Sequence, residues 1–116
     1  MDLTRKKCLP CQGGESKLKP SEIEKYLSEI NTNWKLKGPP DKIVKEFEFK
    51  DFMEAIDFVN KVAGLAEKEG HHPDIYIHNY KKVQIELLTH EIGGLHENDF
   101  IMAAKIEKLK TLLEET

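Results

Sequence analysis

Apolar residues in this chain recur with two different periods, and these divide it into alternating helical and extended segments. From Pro20 the residues Ile23, Tyr26, Leu27 and Ile30 form one stripe at helical spacing. Pro20 suits the first helical position, where its missing N–H would be unpaired anyway. Asn31-Thr32-Asn33 ends that helix. Trp34-Lys35-Leu36-Lys37 then alternates as a short strand, and Gly38-Pro39-Pro40 turns the chain. Alternation resumes from Lys42 to Phe49 through Ile43, Phe47 and Phe49 on a charged background, the pattern of a half-buried strand. Asp51 with Glu54 three positions later resembles a capping box, opening a helix whose predicted apolar face is Phe52, Ile56, Val59, Ala63 and Ala66. Gly70 is placed to end it as a left-handed residue. A second hairpin follows: Ile75, Ile77 and Asn79 lie on one parity against Tyr76, His78 and Tyr80. After the turn, Val83, Ile85 and Leu87 oppose Gln84, Glu86 and His90. Gly93-Gly94 breaks the strand, and a last helix carries Met102, Ile106, Leu109 and Leu113.

The order is therefore α-β-β-α-β-β-α. Two hairpins separated by a helix most simply build a single four-stranded antiparallel sheet with helices packed on one face, an α+β fold. The opposite sheet face would carry Tyr76 and His78, and an edge strand of this kind invites association into a homodimer or homotetramer. Residues 1–18 hold Cys8, Cys11, glycines and lysines without apolar periodicity and are predicted to be a flexible N-terminal arm outside the core. Residues 19–116 are expected to form one domain.

Composition narrows the function classes. Charged residues make up 34% of the 116, yet they are mixed in sign and sum to −3, so no basic stripe is available to follow a phosphate backbone and nucleic acid is not expected as a ligand. No apolar run is long enough to span a bilayer, and no signal segment follows Met1, so the expected location is the cytoplasm, with no membrane partner. Two cysteines cannot staple a secreted fold. Cys8-Leu9-Pro10-Cys11 has the spacing of redox and zinc motifs, but no second pair completes four ligands; incidental cysteines are the simpler reading, with an intersubunit zinc open.

The informative feature is the histidine distribution. His71, His72, His78, His90 and His96 fall within 26 residues, and the first seventy have none. Imidazole titrates near neutrality, so two or three around one site can both donate and accept protons. His71 and His72 follow a helix end, and His90 is predicted at a strand end before Gly93-Gly94. Such places rim pockets. Pro73 restricts His72 to extended angles, so His71 and His72 point differently and have different roles. His71-His72-Pro73 could also be a plain polar connection. A metal held by His72, His78 and His90 is a third reading, although the spacing matches no common ligand register. His78 is expected to be an exposed or interface histidine. His96 falls at the N-cap of the last helix, and Asp99, at its third position, fits a capping carboxylate.

The run Glu67-Lys68-Glu69-Gly70-His71-His72-Pro73-Asp74, then Lys82-Val83, Thr89-His90-Glu91, Gly94-Leu95 and Asp99, closely resembles the signature of the pterin-4a-carbinolamine dehydratase family (4a-hydroxytetrahydrobiopterin dehydratase). The resemblance spans about residues 18–114, and the arm from Cys8 to Gly14 resembles the leader of many bacterial members. It implies a hydro-lyase that dehydrates 4a-hydroxytetrahydropterin to quinonoid dihydropterin in pterin recycling, with no cofactor and no metal. The family's essential histidines match His71, His72 and His90, and its acidic pocket residues match Glu67 and Asp99; Gly70, Pro73, Thr89 and Glu91 are the expected supporting positions. On this reading His71 and His90 transfer protons and His72 positions the pterin. Glu67 is expected to orient His71, and Asp99 a neighbouring histidine. His96 departs from the family's usual Ser or Thr cap. Two alternatives stand beside the dehydratase. One is a non-catalytic oligomeric interaction module of the transcriptional or dimerisation-cofactor type. The other is a pterin enzyme of another pathway, such as molybdopterin metabolism.

Overall fold

The two periodicities become helices and strands in the computed structural model of the protein, which describes residues 2–9, 17–30 and 33–114. Helix α1 spans Pro20–Ile30, strands β1 and β2 span Lys35–Lys37 and Lys42–Glu48, and α2 spans Phe52–Glu69. Strands β3 (Asp74–His78) and β4 (Lys82–Leu87) follow, and α3 (Glu97–Glu114) closes the fold. The strands form one antiparallel sheet in the order β1-β2-β4-β3.

Register separates the two faces of that sheet. Phe47 pairs with Val83 and Ile43 with Leu87, and these residues, with Ile85, are buried beneath the helices. Neighbours of opposite parity, including Tyr76 opposite Gln84 and His78 opposite Lys82, lie on the other face. β3 is an edge strand; Tyr76 and Ile77 are exposed on it. Phe58 fills the centre, with ring centroids 5.0 Å from Phe47 and 4.9 Å from Phe49, near the separations at which tilted aromatic pairs attract.

Three expectations are corrected. On α2 the buried stripe is Ala55, Phe58, Val62, Ala66 and Glu69, whereas Phe52 is exposed and Ile56 and Val59 are only half-buried. The helix carries two apolar stripes, and packing against the sheet chose the one containing Phe58. The strand before His90 stops at Leu87; His90 lies in a 3-10 turn, His90–Ile92, fastened by paired backbone hydrogen bonds between Thr89 and Gly94 (2.8 and 3.4 Å). Finally, the described part of the N-terminal segment packs rather than hangs free. Leu3, in a 3-10 turn Leu3–Arg5, and Cys8 are both buried in the main core. Cys11 lies outside the described residues, so the arm's cysteine pair is described only at Cys8.

The end signals of α2 and the stripe of α1 appear as expected. Asp51 caps α2, accepting from the Glu54 N–H at 2.8 Å, and Gly70 takes φ +68° just past its end. Ile23 and Ile30 bury the α1 stripe, with Tyr26 and Leu27 half-buried beside them. Among the described residues no helix is long and apolar enough to cross a membrane.

Candidate active site

His71, Thr89 and Asp99 each lie at or just beyond the end of an element, and hydrogen bonds join them where the end of α2 meets the start of α3. Gly70 in the left-handed conformation lets the chain leave α2 abruptly, its N–H still bonded to the Ala66 carbonyl at 2.9 Å. His71 comes next. Its ring turns back toward the start of α3, where Nε2 lies 2.6 Å from Asp99 Oδ1.

Asp99 is completely buried, and both of its oxygens are used. Oδ2 accepts from Thr89 Oγ1 at 2.9 Å and from the His96 N–H at 3.0 Å. The bond to His96 N–H is the reaching-back half of a capping box. The other half is unusual: His96 Nδ1 accepts from the Asn98 N–H at 3.0 Å, so an imidazole does the work normally given to a Ser or Thr hydroxyl. Capping and contact with a histidine are therefore not alternatives for Asp99; one oxygen caps while the other holds His71.

A carboxylate offers only acceptors, so the His71 nitrogen facing Asp99 is the donor, and in the neutral ring Nδ1 is then the acceptor. The His71 side chain is 12% exposed, shielded yet reachable, against 0% for Asp99. Thr89, itself buried, ties Asp99 to the turn in which the exposed His90 follows. One hydrogen-bonded chain, His71–Asp99–Thr89, thus runs from the end of α2 to the turn bearing His90.

The carboxylate assignments differ from those expected. Glu67 reaches His72 and not His71, its Oε2 lying 2.5 Å from His72 Nε2. Both side chains of that pair are largely exposed, 62% for His72 and 78% for Glu67, because residue 67 lies on the outer side of the last turn of α2. Pro73 is half-buried after His72, and Glu91 is exposed in the turn with His90. His78 stands apart on the open sheet face, paired with Glu46. Among the described residues no three of His, Cys, Asp and Glu gather as a metal-binding group, so His72, His78 and His90 do not converge.

Sequence reasoning missed Glu69. Its carboxylate is buried beside the site, accepting from Lys105 Nζ at 2.8 Å and from the Cys8 N–H at 2.9 Å. Burial works against its charge, but the Lys105 ammonium and the Cys8 N–H outweigh that and hold it below the usual carboxylate range. Cys8 responds oppositely: burial, reinforced by the Glu69 charge, pushes its thiol up to about 12, so this cysteine is not a nucleophile at neutral pH. The one sequence signal was a carboxylate in the last turn of a helix, where the dipole opposes it.

Comparison with known proteins gives the family. The family model described as pterin 4 alpha carbinolamine dehydratase matches residues 16–109. The chain belongs to that family. It is a family of hydro-lyases. A Methylococcus capsulatus relative whose given name places it in the same family is 51% identical over 107 residues, 92% of each chain. A Rickettsia bellii relative, similarly named, is 46% identical over 108 residues, 93% of this chain and 94% of its own. A crystal structure of a transcriptional coactivator/pterin dehydratase from Brucella melitensis superposes with a TM-score of 0.75 at 33% identity, covering 81% of this chain and 98% of that one. A pterin dehydratase-like protein identified as a RuBisCO assembly factor in the alpha-carboxysome superposes at 0.59 with 26% identity, covering 69% and 92%.

Proposed function

We propose that this dehydratase works by histidine acid/base catalysis on a 4a-hydroxytetrahydropterin, as a step of pterin recycling, with His71 and His90 as the proton-transfer residues. In the reaction the C4a–O bond breaks and its electron pair leaves with oxygen, which takes up a proton and departs as water. The proton on N5 is lost, and the N5 electron pair forms the N5=C4a double bond of the quinonoid product. One group must give a proton and another must take one. Imidazoles do both near neutral pH.

The observation that carries this reading is the bond from His71 Nε2 to the buried Asp99, which fixes the ring's orientation and tautomer and leaves Nδ1 for proton exchange. Exposed His90 supplies the second imidazole, and the Thr89–Asp99 hydrogen bond ties its turn to His71. His72 and Glu67, paired at the surface, suit a role in holding the pterin rather than in chemistry. Gly70 and Pro73 set the backbone that separates the two rings, and Glu91 accompanies His90. No cofactor is required by this scheme.

The test is stopped-flow absorbance of 4a-carbinolamine loss with purified protein. Wild type should accelerate the loss far above background, and His71→Ala and His90→Ala should each remove most of that acceleration. Full activity in His90→Ala would overturn the assignment. The names of the two structural neighbours include a coactivator and an assembly factor, which favours a non-catalytic module as the second reading. Absence of both rate enhancement and pterin binding would favour it. We further propose a homo-oligomer, on the unpaired edge of β3 and the exposed Phe52, Met53 and Tyr76; sedimentation as a single chain at micromolar concentration would refute it.

A further inference from the structure

The anchors of residues 6–9 are the residues that flank the site. Lys6 Nζ donates to Glu97 Oε2 at 2.8 Å, and the Cys8 N–H donates to Glu69 Oε1 at 2.9 Å. The Leu9 N–H donates to Asn98 Oδ1 at 3.0 Å, while Asn98 Nδ2 donates back to the Leu9 carbonyl at 2.6 Å. A fifth contact runs from the Cys8 thiol to the Asn98 carbonyl at 3.6 Å. Leu3, buried in the core, fixes the far end of the segment.

The placement of these anchors is specific. Glu69 is separated from His71 only by Gly70, and Asn98 directly precedes Asp99. Residues 6–9 therefore join the last residue of α2 to the first turn of α3. Those are the two helix ends that present His71 and Asp99 to each other. The His71–Asp99 bond spans the same gap at 2.6 Å, and hydrogen bonds weaken steeply once donor and acceptor move beyond about 3.2 Å. Past Gly70 the His71 N–H still reaches the Ala66 carbonyl at 3.3 Å, so His71 stays tied to the end of α2 and the separation of the two helix ends sets the His71–Asp99 distance. Packing of α2 on α3, the Glu69–Lys105 pair and residues 6–9 all bear on that separation.

We propose that Lys6–Leu9 is a strap that sets the separation of the two helix ends and so positions the His71–Asp99 pair, with Glu69 and Asn98 as its positioning residues. Its effect on turnover rests on the reading of His71 as a proton-transfer residue; its effect on the pair itself does not. The Asn98 side chain holds Leu9 through both its oxygen and its nitrogen, as a neighbouring strand would. The Glu69 carboxylate is held from two sides, by Lys105 of α3 and by the strap. Losing the strap leaves Lys105 alone to hold the end of α2 through that carboxylate.

The experiment uses the full chain carrying Asn98→Ala, which deletes both bonds to Leu9 and leaves Asp99 and His71 intact. Val83→Ala, buried in the sheet between Phe47 and Ile77, serves as a destabilised control compared at equal distance below its melting temperature. Two quantities are read: the exchange rate of the His71 Nε2 proton with water, by NMR on nitrogen-15-labelled protein without substrate, and kcat and KM for carbinolamine dehydration. Loss of two hydrogen bonds should speed the exchange roughly tenfold in Asn98→Ala and lower kcat by a similar factor, with KM changed less than about twofold. Val83→Ala should change neither. Wild-type exchange and kcat in Asn98→Ala, or the same changes in Val83→Ala, would overturn the proposal by making the strap merely structural. If Asn98→Ala does not fold, Leu3→Ala loosens the strap from its far end and is read in the same way. Faster His71 exchange in Asn98→Ala, in a protein whose wild type dehydrates nothing, would uphold the strap while refuting the dehydratase reading.

Discussion

Replacing Asp99 by Asn is the sharpest perturbation of this site because it keeps the shape and removes one property. The amide oxygen can still accept from Thr89 Oγ1 and the His96 N–H, so the cap of α3 survives. The amide nitrogen then faces His71 Nε2 across the 2.6 Å contact. Two donors cannot share it, so the imidazole must move its proton to Nδ1 and accept at Nε2. The nitrogen that served as acceptor is thereby blocked. One charge-assisted hydrogen bond becomes a neutral one, which costs about 1–2 kcal/mol of stability and lowers the melting temperature by roughly 5–10 °C. The catalytic loss should be larger. General acid–base catalysis contributes about 10²–10⁴-fold, so a wrong tautomer at one of two histidines should lower kcat by at least about a hundredfold, or about 2.7 kcal/mol of activation free energy. Stopped-flow dehydration assays give the rate, and nitrogen-15 shifts of the His71 ring give the tautomer. A protein with Nε2 unprotonated and kcat within about twofold of wild type would refute the proton-transfer role of His71.

Three further outcomes follow from the same structure. Glu69→Gln should cost about 3 kcal/mol in chemical denaturation at neutral pH, because it leaves the Lys105 ammonium without its buried partner. The folded-state Glu69 lies below its ordinary 4.5, so the stabilisation is complete above that value and disappears as pH falls through the lower folded one; the difference between wild type and variant should shrink below pH 4.5, and a constant difference would contradict the assignment. Gly70→Ala should cost about 1–2 kcal/mol purely from its φ of +68°, whereas Gly64→Ala, mid-helix with open space, should gain about 0.5–1 kcal/mol; equal effects of the two would show that backbone conformation does not decide them. Glu67→Ala should change stability by less than about 0.5 kcal/mol, since its pair with His72 is solvated, and any loss of activity should appear in KM; a large fall in kcat alone would place His72 in the chemistry.

Periodicity alone determined much of this protein. The α-β-β-α-β-β-α order, the two hairpins, the caps at Asp51 and Gly70 and the clustering of histidines near element ends are local properties, set by side-chain spacing and by backbone angles within a few residues. The resemblance carried by His71-His72-Pro73, Thr89-His90-Glu91 and Asp99 gave the family as well. What the sequence could not determine were choices between equivalent local options. Two apolar stripes run along α2, and only packing on the sheet selected the one through Phe58. Two carboxylates were available for two histidines, and the pairing of His71 with Asp99, and His72 with Glu67, depends on where the start of α3 meets the end of α2. The segment from Asp2 to Leu9 has no periodicity to announce burial. Leu3 and Cys8 enter the core because α2 and α3 provide Glu69 and Asn98 as partners for its backbone, and those partners are 61 and 89 residues away along the chain. Contacts at such separations exist only after the helices have packed.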